Sequence, residues 1–337
     1  MERNSAESCD DKERALERVG LIGCSQAHRK MVEELRRFAL VDAPVLLCGP
    51  TGTGKELAAR AMHYLSPRRG GPFVPIDCGA LPETLFEGEV FGHARGAFTD
   101  ARRDMRGLIA QAERGTIFID EIHTLTKRSQ AALLRFLQDR TYRPLGSERA
   151  FTADVRVIAA TNQSLELGIE QDWFREDLYY RMNVATVALP SLSERTEDIP
   201  LLVSLFLSRL SQLYQVPAKR FDSSTLAWLV AQPWPGNVRE LENFVHRELL
   251  RSDDDVITLE SILSHRNPRS GATKTASPAA FGVARAAVLA HFERTYIRTL
   301  LAATGGNVSE AARRAGKERR VFGRMMKRNR IERSDFR

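Results

Sequence analysis

The stretch Ala43–Ala59, "APVLLCGPTGTGKELAA", decides the fold. The apolar run "APVLLC" reads as a buried strand. Glycines at 49, 52 and 54 then break the chain, and Lys55 opens a helical pattern. Gly49 to Lys55 fits G-x-x-x-x-G-K. In such a loop the glycines let backbone N–H groups converge on phosphates, and the positive end of the following helix adds to them. Lys55 would reach the terminal phosphates. Gly49, Gly52, Thr53, Gly54 and Lys55 are therefore candidate nucleotide ligands. The general motif has Ser or Thr after the lysine to hold Mg2+; here Glu56 takes that place.

Working outward, "PFVPIDC", "GTIFIDE", "DVRVIAAT" and "NVATVAL" read as further buried strands. Helical patterns separate them at Ser25–Leu40, Lys55–Leu65 and Lys127–Gln138. That alternation predicts an α/β fold over residues 21–190, a parallel sheet with helices on both faces. "TIFIDE" delivers two carboxylates at the end of a strand: Asp120 to hold the metal and Glu121 to polarise an attacking water. "AATN" places Thr161 and Asn162 at another strand tip, near where a γ-phosphate would lie. "WFREDLYYRMNV" carries Arg175 and Arg181, candidates to reach a γ-phosphate from a neighbouring subunit. "WPGNVREL" sets Arg239 just inside a helix start.

Residues 1–20 form a polar lead-in. Residues 191–263 lose strand character and read as a few helices. The stretch "SHRNPRSGATKTASPAAFG", residues 264–282, is rich in Gly, Pro, Ser and Thr and reads as a linker. Residues 283–337 are helical and basic, with 14 Lys/Arg against 5 Asp/Glu, whereas the whole chain carries only +7. The basic excess thus lies in the tail, which points to nucleic acid. No apolar run is long enough for a membrane span, and the charged N-terminus has no apolar signal core. The four cysteines fall in no metal-ligand spacing, as expected of unpaired thiols in a reducing cytoplasm.

Within the tail, Val283–Ala303 reads as one long helix. "GGNVSEAARRAG" starts another, with Asn307 or Ser309 as its cap. A turn at Gly316–Glu318 leads into "RRVFGRMMKRNR". Two short helices with arginines concentrated on the second suit a helix-turn-helix. Arg319, Arg320, Arg324 and Lys327 are the expected DNA contacts. Gly323 falls inside the second helix at a cost of ~1 kcal/mol relative to Ala. Between the phosphate loop and the acidic strand, "FGHARGAFTDARR" reads as an exposed turn with an aromatic and a hydroxyl at its tip.

Taken together these residues resemble the AAA+ bacterial enhancer-binding proteins, the activators of sigma-54 RNA polymerase. The resemblance covers about residues 20–330 and rests on "GTGKE", "EVFGHARGAFTDA", "GTIFIDEI", "RFLQDRTYRPLG", "FREDLYYRMNV", "LSERTEDIPLL" and "WPGNVRELEN", in that order. It implies an AAA+ domain with a helical lid and a Fis-like helix-turn-helix tail. It also implies hydrolysis of ATP with Mg2+, a homo-oligomeric ring, usually a hexamer, and binding to upstream enhancer DNA. Gly96, Ala97, Phe98 and Thr99 match the loop that touches sigma-54. Arg175 and Arg181 match the trans-acting fingers, Arg239 matches the second sensor, and Glu56 is normal for the family.

Three departures stand out. Asp100 replaces the second glycine of Gly-Ala-Phe-Thr-Gly-Ala. Asp77 in "VPIDCGAL" stands where many members have Asn, a residue that restrains the catalytic Glu. About 20 residues precede the ATPase, where most members carry a receiver or ligand-sensing domain, so control is expected from expression level or a regulatory partner in trans. Two rival readings follow: a DNA-binding AAA+ regulator that has lost sigma-54 activation, or an AAA+ remodeller of another protein.

Overall fold

A computed structural model of the chain describes residues 20–97, 101, 103–266, 293, 296–328 and 331. The chain divides into two compact units, residues 1–266 and 267–337. Phe98, Thr99, Asp100, the lead-in to residue 19 and the linker from residue 267 onward lie outside the described residues.

The first unit is built on five strands: β1 (Val45–Cys48), β2 (Phe73–Asp77), β3 (Thr116–Asp120), β4 (Arg156–Thr161) and β5 (Ala185–Ala188). All pair in parallel, in the order β2-β3-β4-β1-β5. Alternation explains both faces. Leu46, Ile117, Ile119, Val157 and Ala159 join one apolar core, while Val45, Leu47, Phe118, Ile158 and Ala160 join the other.

Helices α1 (Gln26–Ala39) and α2 (Lys55–Leu65) cover the second face. α1 fits the expected span, with Ser25 as N-cap accepting from His28 N. α3 (Glu83–Phe91), α4 (Lys127–Asp139), α5 (Leu165–Glu170) and α6 (Glu176–Met182) cover the first. Because every strand runs the same way, Cys48, Asp77, Asp120 and Thr161 end at one edge of the sheet; register pairs Cys48 with Thr161 and Asp77 with Asp120. The crevice of a doubly wound sheet lies outside this edge.

The lid consists of α7 (Ile199–Tyr214), α8 (Ser223–Val230), α9 (Asn237–Arg251) and α10 (Leu259–Arg266) around their own apolar core. Two features depart from the sequence reading. A short parallel pairing of Arg220–Phe221 with Val256–Ile257 lies among the lid helices, too short to leave a period-two pattern. And α10 runs to Arg266, so the first residues of the expected linker are helical.

Short antiparallel pairings lie outside the five-stranded sheet. Gly92–His93 pairs with Met105–Arg106, and Thr141–Tyr142 with Phe151–Thr152. Gly96 N donates to Ala101 O at 2.8 Å and Arg95 N to Asp104 Oδ1 at 2.7 Å, which fixes the foot of the turn. Gly96 and Ala97 are the only members of the expected contact set among the described residues.

In the second unit, residues 296–303 are helical, followed by α11 (Val308–Arg314) and α12 (Arg319–Arg328). Asn307, not Ser309, is the cap: its side chain accepts from Ser309 N and Glu310 N. Gly316 takes the left-handed conformation that ends α11.

Candidate nucleotide and DNA sites

The loop after β1 is held from both sides. Gly49 N donates to Thr161 O of the neighbouring strand, 3.2 Å, and Thr53 Oγ1 donates to Pro50 O, 2.8 Å. Gly54 caps α2 in a left-handed conformation. Lys55 is buried and folds back, its Nζ donating to Gly49 O at 2.9 Å and Pro50 O at 3.2 Å. Burial lowers its pKa and Arg239 adds to this, while Asp120 and Glu121 oppose.

At the end of β3 the chain turns sharply. Glu121 has φ 51°, left-handed and strained for a non-glycine residue by ~1 kcal/mol or more. Its N donates to Asp120 Oδ1 at 3.0 Å. Burial raises the Asp120 pKa, as do the charges of Glu121 and Asp77, against the Glu121 amide and Lys55. Asp77 Oδ1 accepts from Gly79 N and Ala80 N, at 3.0 and 3.2 Å, closing a side-chain turn beside Glu121. Asn162 Nδ2 donates to Thr51 Oγ1 at 2.9 Å, and its Oδ1 is buried without a partner.

The lid completes the arrangement. Asn237 is buried; its Nδ2 donates to Thr51 O at 2.9 Å and its Oδ1 accepts from Leu192 N at 2.7 Å. Val238 N donates to Gly52 O at 3.0 Å. The start of α9 thus rests on the loop, with Arg239 in its first turn. The structure gathers Gly49, Gly52, Thr53, Gly54, Lys55, Asp120, Glu121, Asn162 and Arg239 around one crevice.

Three predicted residues are engaged elsewhere. Glu56 forms an ion pair with Arg60 at 2.8 Å, one turn along the exposed side of α2. Arg175, the N-cap residue of α6, pairs with Asp177 at 2.7 Å, and Arg181 donates to Leu137 O at 3.1 Å where α6 packs on α4.

In the second unit, Phe322 and Met326 turn one face of α12 inward, and Arg319, Arg320, Arg324 and Lys327 are exposed. Arg320, Arg324 and Lys327 recur at helical spacing, as one basic stripe. Arg328 instead forms an ion pair with Glu293, and Glu310 holds Arg313 and Arg314.

Comparison with known proteins follows this division. Residues 21–188 match the Sigma-54 interaction domain, 193–279 the AAA+ ATPase lid domain, and 288–328 the bacterial regulatory protein, Fis family. The transcriptional regulatory protein GlrR of Escherichia coli (strain K12) is 42% identical over 322 residues, covering 95% of this chain and 70% of that one. The chain belongs to the sigma-54 activator family of AAA+ proteins.

Other relatives include the transcriptional regulatory protein ZraR of Salmonella typhimurium, 40% identical over 303 residues, which cover 90% of this chain and 67% of that one. Among solved structures, NtrX from Brucella abortus in complex with ATP is 31% identical, with a TM-score of 0.67, covering 91% of this chain and 68% of that one. Hsp104 shares the fold alone, at 18% identity and a TM-score of 0.52.

The crevice of this family member suits a nucleotide. Lys55 is satisfied only by loop carbonyls, and Asn162 Oδ1 is an acceptor awaiting a donor. Among the described residues no cluster of three or more His, Cys, Asp or Glu could hold a metal. No helix among the described residues is long and apolar enough to cross a membrane.

Sequence reasoning missed three groups here. Asn237 sits within a quoted motif, and only the fold brings it to the loop. His123 Nδ1 lies 3.4 Å from Thr161 Oγ1 beside the acidic turn. Arg195, nearly fully buried, donates to Thr53 O.

Proposed function

We propose that the chain is an ATP-driven transcription activator. Its C-terminal unit binds upstream DNA, its ATPase regions assemble into a hexameric ring in the cytoplasm, and hydrolysis remodels the closed complex of sigma-54 RNA polymerase so that promoters open. The observation that carries this reading is the meeting of the Gly49–Lys55 loop, Asp120–Glu121 and Asn162 at one sheet edge, in a chain that also bears a basic helix-turn-helix. The working divisions are residues 21–190 for the nucleotide domain, 191–263 for the lid and 283–337 for DNA.

Lys55 exchanges its loop carbonyls for the β- and γ-phosphates, and the loop's backbone N–H groups hold the rest. Asp120 would hold Mg2+, which would supply charge neutralisation to the phosphates. Glu121 accepts a hydrogen bond from the attacking water, and Asn162 orients the γ-phosphate side. Arg239 carries lid position to the nucleotide. Arg175 and Arg181 serve the neighbouring subunit's site. The Arg175–Asp177 pair is largely exposed, so releasing it costs at most ~1 kcal/mol. Phe98 and Thr99 contact sigma-54 at the loop tip, and Arg319, Arg320, Arg324 and Lys327 contact DNA.

The test is transcription in vitro from a sigma-54 promoter, with ATP and with a non-hydrolysable analogue, for wild type and Thr99→Ala. Opening by wild type with ATP alone, lost in Thr99→Ala at unchanged ATPase rate, is the expected result. Wild-type protein that hydrolyses ATP and binds DNA yet opens no promoter would favour the second reading, a regulator without activation. The observation behind that reading is Asp100 in the family's glycine position.

A further inference from the structure

The segment joining the sheet domain to the lid, Leu192–Asp198, turns two charged side chains inward. Arg195 is 4% exposed and Asp198 fully buried. Arg195 Nη2 donates to the Thr53 carbonyl of the phosphate loop at 3.2 Å. Its Nη1 lies 3.3 Å from His28 Nδ1 and 4.0 Å from Asp198 Oδ2. Asp198 reaches back to the start of the domain: its Oδ1 accepts from Cys24 N at 2.6 Å and Ser25 N at 2.7 Å, and its Oδ2 from Ser25 Oγ at 2.9 Å. Burial first, and Arg195 second, lower the His28 pKa against the pull of Asp198. A guanidinium nitrogen only donates, so a hydrogen bond between the two takes His28 Nδ1 as the acceptor, with the ring proton on Nε2.

We propose that Arg195, with His28 and Asp198, is a positioning device that sets the phosphate loop at Thr53 and couples it to the segment Leu21–Ser25 entering the domain. The physical argument starts from cost. Taking a guanidinium and a carboxylate out of water is expensive, and replacing such a pair by apolar residues is often neutral or stabilising. Arg195 Nε is moreover buried without a partner, so bulk stability is a poor reason for the group. Placement is a better one. A planar guanidinium fixes the directions of its donors, where an ammonium would not. Here one plane touches the loop, α1 and the lid entry together. The carbonyl it holds belongs to the residue two before Lys55, so a shift of the guanidinium is felt where phosphates bind. At the other end, Gly23 leaves no slack. A Cβ there would lie 2.5 Å from His28 Cγ and 2.7 Å from Asp198 Oδ2. Displacement of residues 21–25, by a preceding segment or a bound partner, therefore pushes on His28 and Asp198 and through them on Arg195.

This inference rests on Gly49–Lys55 being a nucleotide loop, and the experiment separates the two. ATP affinity is titrated directly, and kcat and KM for ATP are measured, in full-length wild type, Arg195→Lys, Gly23→Ala, the double variant, His28→Leu and His28→Gln. Wild type that fails to bind ATP overturns the nucleotide reading. If wild type binds, Arg195→Lys is expected to weaken ATP binding about tenfold, the equivalent of one charge-assisted hydrogen bond, with kcat at saturation changed about threefold or less. Gly23→Ala, remote from the phosphates, should weaken binding in the same direction, and the double variant should lose less than the product of the two. His28→Gln, whose amide oxygen can accept from Arg195, should recover most of what His28→Leu loses. The last pair keeps the test open if the arginine variant fails to fold. Multiplicative effects of Gly23→Ala and Arg195→Lys, or unchanged ATP affinity in Arg195→Lys and His28→Leu, would overturn the proposal.

Discussion

Replacing Gly52 by alanine should separate the lid from the phosphate loop. Gly52 has φ +80°, where a Cβ costs ~1–2 kcal/mol. The same Cβ would overlap the Gly236 carbonyl oxygen and lie 3.2 Å from Arg239 Cβ, and overpacking of this kind costs ~1–3 kcal/mol. If the lid retreats instead, the bonds Val238 N to Gly52 O and Asn237 Nδ2 to Thr51 O weaken, at ~1 kcal/mol each. The first route sums to about 2–5 kcal/mol and the second to about 3–4 kcal/mol, or a fall in melting temperature of about 10 °C for a domain of this size. ATP affinity should fall with it, because Arg239 and Lys55 no longer face one crevice. The assay is calorimetric melting and ATP titration of Gly52→Ala beside Gly70→Ala. A Cβ at residue 70 meets nothing within 4 Å, so that variant reports handling alone. Gly52→Ala with the melting temperature and ATP affinity of Gly70→Ala would refute the claim that the lid is seated on this residue.

Other outcomes can be checked with the same protein. Lys55→Ala should abolish ATP binding in a filter or fluorescence titration, and Glu121→Gln should keep binding and lose hydrolysis by about a hundredfold or more, the range for a positioned general base. Asp120→Asn should lose hydrolysis yet melt higher at neutral pH. A carboxyl whose folded pKa is raised destabilises the fold when ionised, so the gap should narrow as pH falls from the raised folded pKa and be closed once pH drops below the ordinary carboxylate value of ~4. Truncation after Arg266 should spare the ATPase and abolish footprinting of an upstream site, and full-length binding should weaken steeply with salt, because the basic excess lies beyond that point. Mixing Arg175→Ala with Glu121→Gln should restore some ATPase through composite sites, measured as rate against mixing ratio.

What the sequence disclosed and what it withheld follow from how local each signal is. The strands were legible because both faces of a parallel sheet are buried, so Thr116–Asp120 and Arg156–Thr161 read as short apolar runs. The phosphate loop and acidic turn were legible because their chemistry is carried by adjacent residues. Strand order was not, since nothing in β1 says that β4 and β5 will flank it. Asp198 shows the difficulty most clearly. An aspartate ahead of Ile-Pro at a helix start would ordinarily be an N-cap. Here it makes no side-chain bond to its own helix and serves the backbone of Cys24 and Ser25 instead. Asn237 was hidden for the same reason, its partner Thr51 lying 186 residues away. The cap of α11 was ambiguous only at the level of one turn, and the hydrogen bonds from Ser309 N and Glu310 N assign it to Asn307.

The core of the second unit, over its described residues, is Ile297, Leu301, Ala311, Ala312, Phe322, Met326 and Ile331. Two of these are alanines, which withdraw little apolar surface from water, and a unit confined to residues 267–337 has modest stability of its own. For such a unit a ligand is also a scaffold. A DNA site at a hundred times its dissociation constant adds ~2.7 kcal/mol to the bound fold, a large share of what so small a core supplies. Warming would then act unevenly along the chain. The part that finds the address would loosen before the part that does the work, and a protein already seated on its site would withstand heat that disarms one still searching.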